Sequence, residues 1–278
     1  MSRLPTTFLA HKRILITGGG SGLGQRMAIG MASLGAKMII CGRHMEKLQE
    51  TVAQIEAAGG KCQAFECDIR QPEMIDGLLD QIWAEAPLDV LINNAAGNFL
   101  ARTETLSPRA VEAVIRVSLL GGLWMTIAAG KRWIDKGQRG VVLSVLASGV
   151  GNGRPFTVPL TISKAAMLAM TKSLAQEWGP KGIRLVGLAP GLFPTPATAA
   201  RLHPDVTDPE AELAKDIPLR RAGQTDDLVD LSSFLVSDAA SYISGEMISI
   251  DGASGLTGPR ADRMFEWTDA QWDTLRKG

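Results

Sequence analysis

The sequence predicts a single α/β domain over residues 1–278, a doubly wound parallel sheet of seven strands in the order 3-2-1-4-5-6-7 with helices on both faces. Three observations carry this expectation. Seven short apolar runs, at residues 13–17, 37–41, 63–66, 90–93, 141–145, 184–188 and 247–250, are rich in Ile, Val and Leu, as strands covered on both faces should be. Helix-period segments separate them, and regular strand–helix alternation implies parallel pairing through right-handed crossovers. The first run leads into Thr17-Gly18-Gly19-Gly20-Ser21-Gly22-Leu23-Gly24, a glycine turn opening an apolar-periodic helix through Met27, Ala28, Met31 and Leu34.

Taken in order, the strand ends carry the candidate site. The glycine turn supplies positive φ, close backbone approach and close helix–strand packing, and the following helix presents free N–H groups to a phosphate. The second strand ends Ile39-Ile40-Cys41-Gly42-Arg43. An acidic residue there would take ribose hydroxyls; Gly42 leaves room instead, and Arg43 either offers a fork of donors to a 2′-phosphate, which points to NADP(H), or is a solvated surface charge. Cys67-Asp68-Ile69 ends the third strand, where Asp68 either accepts from an adenine amino group or caps a nearby turn. Asn93-Asn94-Ala95-Ala96-Gly97 closes the fourth, with small residues that admit a ligand and an Asn93 able to pin neighbouring strands. Gly97-Asn98-Phe99 then opens a loop for substrate. Ala189-Pro190-Gly191 follows the sixth strand, and residues 194–215, rich in Pro, Thr and Ala, read as a substrate lid or a plain surface insertion. Residues 226–236 read as a helix. The tail, 253–278, ends in a short helix behind the capping pattern Thr268-Asp269-Ala270-Gln271, and its Trp267 and Trp272 dock on a neighbour or on the chain's own body.

Composition narrows the function. Formal charge is zero, with 29 basic and 29 acidic residues, so no nucleic-acid or membrane surface is expected. Cys41, Cys62 and Cys67 have no zinc-ligand spacing; they read as reduced, partly buried thiols of a cytoplasmic protein, and no metal site is expected. Residues 1–12 lack the apolar core of a signal peptide, and the longest apolar stretch, 117–130, is too short to span a bilayer.

The motif Thr-Gly-x-x-x-Gly-x-Gly at 17–24, Asn-Asn-Ala-x-Gly at 93–97 and Ser163-Lys164-Ala165-Ala166 together resemble the short-chain dehydrogenase/reductase family over residues 12–252. The resemblance implies a Rossmann-type domain. It implies cofactor contacts from Gly18, Gly20, Ser21, Gly22, Leu23, Gly24, Arg43, Asp68, Ile69, Asn94, Ala95, Ala96, Gly97 and Lys164, with Asp68 on adenine. Pro190, Gly191, Phe193 and Thr195 would face the nicotinamide carboxamide and diphosphate. It further implies a homotetramer through helices near 108–136 and 159–179, with Leu123, Trp124, Met167 and Met170 either at the contact or in the core.

The chemistry departs from the family pattern. A typical member pairs Tyr with Lys in Tyr-x-x-x-Lys, and adds a Ser and an Asn. Here Lys164 matches the Lys, but Leu160 stands at the Tyr position, Ala147 at the Ser position and Ser118 at the Asn position. The single tyrosine, Tyr242, lies far along the chain before the last strand. Asn98-Phe99, Leu106-Ser107-Pro108, Val158-Pro159, Glu177-Trp178-Gly179 and Gln271-Trp272-Asp273-Thr274 resemble the 2,4-dienoyl-CoA reductase branch, which reduces a C=C bond conjugated to a thioester. The positions matching that branch's thioester-holding Tyr and Ser are Gly149 and Leu160. The expected activity is NADPH-dependent reduction of an enoyl- or 2,4-dienoyl-CoA-like thioester, with Lys164 on the ribose and Thr161 or Ser148 on the proton side. Thr161 and Thr157 could equally be caps near Pro159, and Ser148 a loop hydrogen bonder. Asn98, Phe99, Gly149, Thr157 and Leu160 are the expected substrate neighbours, and Arg102, Arg154 and Arg201 either meet a CoA phosphate or are solvated. The alternatives are a reductase of another activated substrate and a catalytically silent cofactor-binding member.

Overall fold

The computed structural model describes residues 2–194, 214–256 and 267–276. Its seven strands are β1 (Arg13–Thr17), β2 (Lys37–Gly42), β3 (Lys61–Glu66), β4 (Val90–Asn93), β5 (Gly140–Val145), β6 (Ile183–Pro190) and β7 (Met247–Ile250). They form one parallel sheet, β3-β2-β1-β4-β5-β6-β7, in the expected order. The order reverses between β1 and β4, and the crevice above that point is where a ligand fits in such sheets. Around the sheet lie α1 (Gly22–Ser33), α2 (Met45–Ala57), α3 (Pro72–Glu85), α4 (Pro108–Ile115), α5 (Gly121–Asp135), α6 (Val158–Trp178), α7 (Thr225–Val236) and α8 (Asp269–Arg276).

Period-two alternation divides each central strand between two cores. Ile14 and Ile16 of β1 join Met27 and Met31 of α1, Leu48 of α2 and Leu228 of α7. Leu15, between them, joins Leu79 of α3 and Met125 and Trp133 of α5 on the other face. β1, β4 and β6 are buried throughout, whereas the edge strand β3 is half exposed, which explains its mixed composition.

Three expectations need adjusting. β6 runs on to Pro190, which pairs with Ile250, rather than stopping at 188. Asn93 does not pin a neighbouring strand: its Nδ2 donates to Thr126 Oγ1 on α5 at 2.7 Å. The apolar stretch at 117–130 is part of a longer helical path, Pro108–Asp135, that is long and apolar enough by composition to cross a membrane. In this fold Met125, Ala129 and Trp133 of that path pack fully buried against the sheet. A π turn, Arg116–Leu120, joins α4 to α5. In the tail, Gln271 Oε1 accepts the Thr268 N–H as the capping pattern predicts, and the rings of Trp267 and Trp272 pack on each other at 5.1 Å. Of the lid, residues 195–213 lie outside the described residues.

Candidate cofactor and active site

The carboxyl ends of β1, β2, β4 and β5 surround a cavity of about 430 Å³, the size of a small-molecule site. Its floor begins with the glycine turn. Gly18 has φ +69°, and its N–H donates to Cys41 O at 2.7 Å. A Cβ on Gly24 would stand 2.4 Å from both Gly18 O and Asn94 Nδ2, so only glycine lets α1 start this close to the turn. Thr17 ties the turn to β4: its Oγ1 accepts the N–H groups of Asn94 and Ala95, both at 3.0 Å. Asn94 Nδ2 returns a bond to Thr17 O at 2.9 Å, so this side chain braces the turn from below. The N-terminus of α1 carries no side-chain cap and no acidic residue in its first turn. Its uncapped N–H groups and dipole favour an anion there.

At one end the cavity is lined by Gly42, Arg43, His44, Lys47, Asp68 and Ile69. Arg70 grips Asp68 with Nε 2.8 Å from Oδ1, and its own N–H reaches Oδ1 at 3.0 Å. That hydrogen-bonded guanidinium holds the Asp68 carboxyl below its ordinary pKa. Asp68 thus makes a turn contact within its own segment while still bordering the cavity; the cap of α3 is Gln71. Cys41 and Cys67 also border it. Their mutual hydrogen bond pushes the Cys41 thiol up and draws the Cys67 thiol down.

The other end is formed by Ala95, Ala96, Val117, Leu146, Ala147, Leu160 and Lys164. Lys164 is 6% exposed, donates to Val145 O, and is lowered by burial to about pH 8. Leu160 and Lys164, four residues apart, lie one above the other on α6 and both reach the cavity. Ser118, in the π turn, accepts the Gly97 N–H at 3.0 Å and donates to Gly97 O at 3.2 Å, clasping the loop after β4. Further out, Ala101 N–H bonds Phe156 O at 3.1 Å, joining that loop to the one before α6. Phe99, Leu100 and Phe156 are exposed there. Phe156 holds φ +61°, a strained conformation for an aromatic residue.

Of the sequence-predicted residues, the cavity gathers Gly18, Gly20, Ser21, Leu23, Arg43, Asp68, Ile69, Asn94, Ala95, Ala96, Leu160 and Lys164. Gly22, Gly24, Gly97, Pro190 and Gly191 are not among its lining residues, and Thr195 lies outside the described residues. Phe193 is buried in the α1–α7 core and borders a separate cavity with Ile217 and Gly223. Asn98, Phe99, Gly149, Thr157, Thr161 and Ser148 do not line the cavity. Thr161 Oγ1 faces Thr157 Oγ1 at 3.4 Å, and the Ser148 N–H bonds Pro190 O at 3.3 Å. Tyr242 is fully exposed and is not among the cavity residues. The sequence reading missed His44, Lys47, Leu48, Val117, Val145 and Leu146 as lining residues. The basic residues at 43, 44 and 47 directly after β2 were a usable signal; the apolar ones looked like any core position.

Switch-point cavity, glycine turn and buried lysine together define a nucleotide-dependent oxidoreductase of the Rossmann class. The family model described as "Enoyl-(Acyl carrier protein) reductase" matches residues 18–257. The chain belongs to the short-chain dehydrogenase/reductase family. It is 37% identical over 250 residues to the Bacillus subtilis protein named "Probable 2,4-dienoyl-CoA reductase", covering 89% of this chain and 98% of that protein. It is 34% identical over 254 residues to the peroxisomal 2,4-dienoyl-CoA reductase of Danio rerio, covering 90% and 83%. Among solved structures, a gluconate 5-dehydrogenase from Burkholderia cenocepacia in complex with NADP and tartrate superposes with a TM-score of 0.83 at 29% identity, covering 91% of this chain and 99% of that one.

Proposed function

We propose that this chain is an NADPH-dependent reductase of an enoyl- or 2,4-dienoyl-CoA-like thioester, acting on a C=C bond conjugated to the thioester. The observation that carries this reading is the Lys164 end of the cavity. Among the described residues Lys164 is the one ionisable group there, and Ala147, Leu146, Leu160 and Val117 make the rest of the wall apolar. Reduction of an isolated carbonyl, or oxidation of a polyol such as gluconate, calls for a proton-transferring group at oxygen and several hydrogen bonds to hydroxyls. Neither is supplied by these side chains. A conjugated thioester spreads the developing charge to its own oxygen and places less demand on a strong acid beside the reacting carbon.

The residues present fit NADP(H). The glycine turn leaves backbone on the cavity wall, the start of α1 is open to a diphosphate, and Arg43 is a cation beside Gly42 where a ribose phosphate would come. Bound NADPH supplies the hydride. Lys164, with one N–H spent on Val145 O, has two left to hold a ribose hydroxyl and to steady charge on the substrate. Exclusion of water falls to Leu160 and Val117, and the exposed Phe99, Leu100 and Phe156 offer an apolar approach for an acyl chain. With neither Thr161 nor Ser148 lining the cavity, the product's proton comes from water or from a group brought in by closure of the loops. A homotetramer through α5 and α6, where Ile127 and Ile162 are exposed, belongs to the same reading.

The test is NADPH consumption with trans-2,trans-4-hexadienoyl-CoA, with acetoacetyl-CoA as control and NADPH binding measured on the same sample. Turnover of the diene alone is the expected result. Tight NADPH binding without turnover of either compound overturns the reading. It then favours a silent cofactor-binding member, for which the apolar residues at 147 and 160 already speak.

A further inference from the structure

Two thiols border the cofactor cavity and take no part in the chemistry above. β2 and β3 run parallel with Cys41 opposite Phe65, and their ladder continues beyond β3, where the Cys67 N–H donates to Gly42 O at 2.9 Å. Cys67 is two residues on from Phe65 and so returns to the face of the sheet that Cys41 occupies. Both lie in the core built with Leu15, Ile39 and Ile69, and their thiols meet across the two strand ends. Each is also tied to the cavity wall. Cys41 O accepts the Gly18 N–H at 2.7 Å and the Gly19 N–H at 3.4 Å, so its backbone anchors the glycine turn. Cys67 directly precedes Asp68 and Ile69, which line the Arg43 end.

We propose that Cys41 and Cys67 form a redox modification site: in the cofactor-free protein a hydroperoxide joins them in a disulfide that weakens cofactor binding, and bound cofactor shields them. The cofactor part of this inference rests on the NADP(H) reading above. Cys67 is the attacking thiol. The hydrogen bond from Cys41 draws it down, against the opposing effects of burial and of Asp68, while Cys41 is pushed up and stays a thiol. The Cys67 thiolate attacks the outer peroxide oxygen: an S–O bond forms, the O–O bond breaks, and the departing oxygen takes up the proton that Cys67 gave. Cys41 then attacks the sulfur of the resulting sulfenic acid; the S–S bond forms, the S–O bond breaks, and water leaves with the Cys41 proton. In sum, two thiols are oxidised to a disulfide, and the peroxide is reduced to an alcohol, or to water, plus one further water. Cys41 is fully buried and Cys67 is 1% exposed, so the route of a reagent to them is the cavity they border, which a bound nucleotide blocks. The disulfide shifts the two backbones that anchor Gly18 and carry Asp68, and so deforms the Arg43 end. Cys62, on β3 and not a cavity residue, is the internal control, because burial pushes its thiol up to about 12.

The experiment treats the full chain with hydrogen peroxide, with and without saturating NADP⁺. Thiols counted after unfolding should fall from three to one, with the mass lower by about 2 Da for two lost hydrogens and a digest peptide joining Cys41 to Cys67. NADPH affinity should fall by about tenfold or more, as for loss of one hydrogen bond to a charged diphosphate, and dithiothreitol should restore it. NADP⁺ should prevent both changes. Cys41→Ala should stop the reaction at a Cys67 sulfenic acid that dimedone traps, and Cys67→Ser should keep its own NADPH affinity through the treatment. Circular dichroism checks both folds, and Cys67→Ser carries the test if Cys41→Ala does not fold. Absence of the Cys41–Cys67 peptide, or a disulfide that leaves NADPH affinity unchanged, overturns the proposal. So does equal oxidation with and without NADP⁺ in a chain that binds it. A reduced chain that fails to bind NADPH would instead overturn the cofactor reading and the shielding with it, while the thiol count and the joined peptide still decide whether the pair is oxidised.

Discussion

Replacing Thr17 by Val tests whether one hydroxyl holds the cofactor floor together. Thr17 is 1% exposed, and its Oγ1 accepts two backbone N–H groups, from Asn94 and Ala95, while lying 3.4 Å from Ile92 O. Valine has nearly the same shape, so no cavity opens. What changes is that two donors lose their acceptor under a packed strand end. Each unsatisfied buried donor costs about 1–3 kcal/mol. Asn94 and Ala95 are only partly buried, so water recovers some of this, and the extra methyl returns up to about 0.8 kcal/mol. The expected net loss is about 2–3 kcal/mol, read as a lower urea midpoint at unchanged slope. NADPH affinity should fall at least about tenfold, because Asn94 and Ala95 border the cavity and brace the glycine turn. Thr17→Ser keeps the oxygen and loses one methyl, and should cost about 1 kcal/mol without weakening NADPH. A Thr17→Val loss below about 1 kcal/mol, or equal damage in Thr17→Ser, would refute the reasoning.

Other perturbations reach the same site. Gly24→Ala puts a methyl 2.4 Å from Gly18 O, so it should cost about 1–3 kcal/mol by overpacking and abolish NADPH binding measured by fluorescence. Burial lowers Lys164 from its ordinary 10.5 to about 8, so in the free enzyme kcat/KM for a step that needs the ammonium should hold below about pH 8 and fall tenfold per unit above it. By linkage the unfolded chain binds more protons than the folded one between those two values. Stability should therefore rise with pH through that window, and Lys164→Met should remove the rise in denaturation curves. Ala147→Ser with Leu160→Tyr restores a hydroxyl and a phenol on the wall that carries Lys164, and should raise acetoacetyl-CoA reduction by about 10²-fold or more; a folded, NADPH-binding double variant without that gain would count against the account of the apolar wall.

Sequence and structure each contributed distinct parts of this picture. Strand runs, helical periods and the Thr17–Gly24 turn were enough for the sheet order, because buried parallel strands and right-handed crossovers leave few arrangements. Strand ends were legible too: Arg43, Asp68, Ala95 and Lys164 do border one cavity. The absence of tyrosine at 160 needed no coordinates.

Side-chain direction was a different matter. Thr161 precedes Lys164 by three residues, and sequence spacing allowed both to share a helix face, yet Thr161 Oγ1 faces Thr157 and only Lys164 lines the cavity. Phe193 follows the glycine of β6's end and looked like a cofactor contact, but it fills the core. Asn93 and Asn94 are neighbours in one motif with opposite duties, one bonding α5 and the other the glycine turn. Backbone architecture follows from a local period and a buried face, which the chain carries in its own order. Which atom meets which is set by contacts between segments far apart in sequence, and these exist only once the sheet has brought its strand ends together.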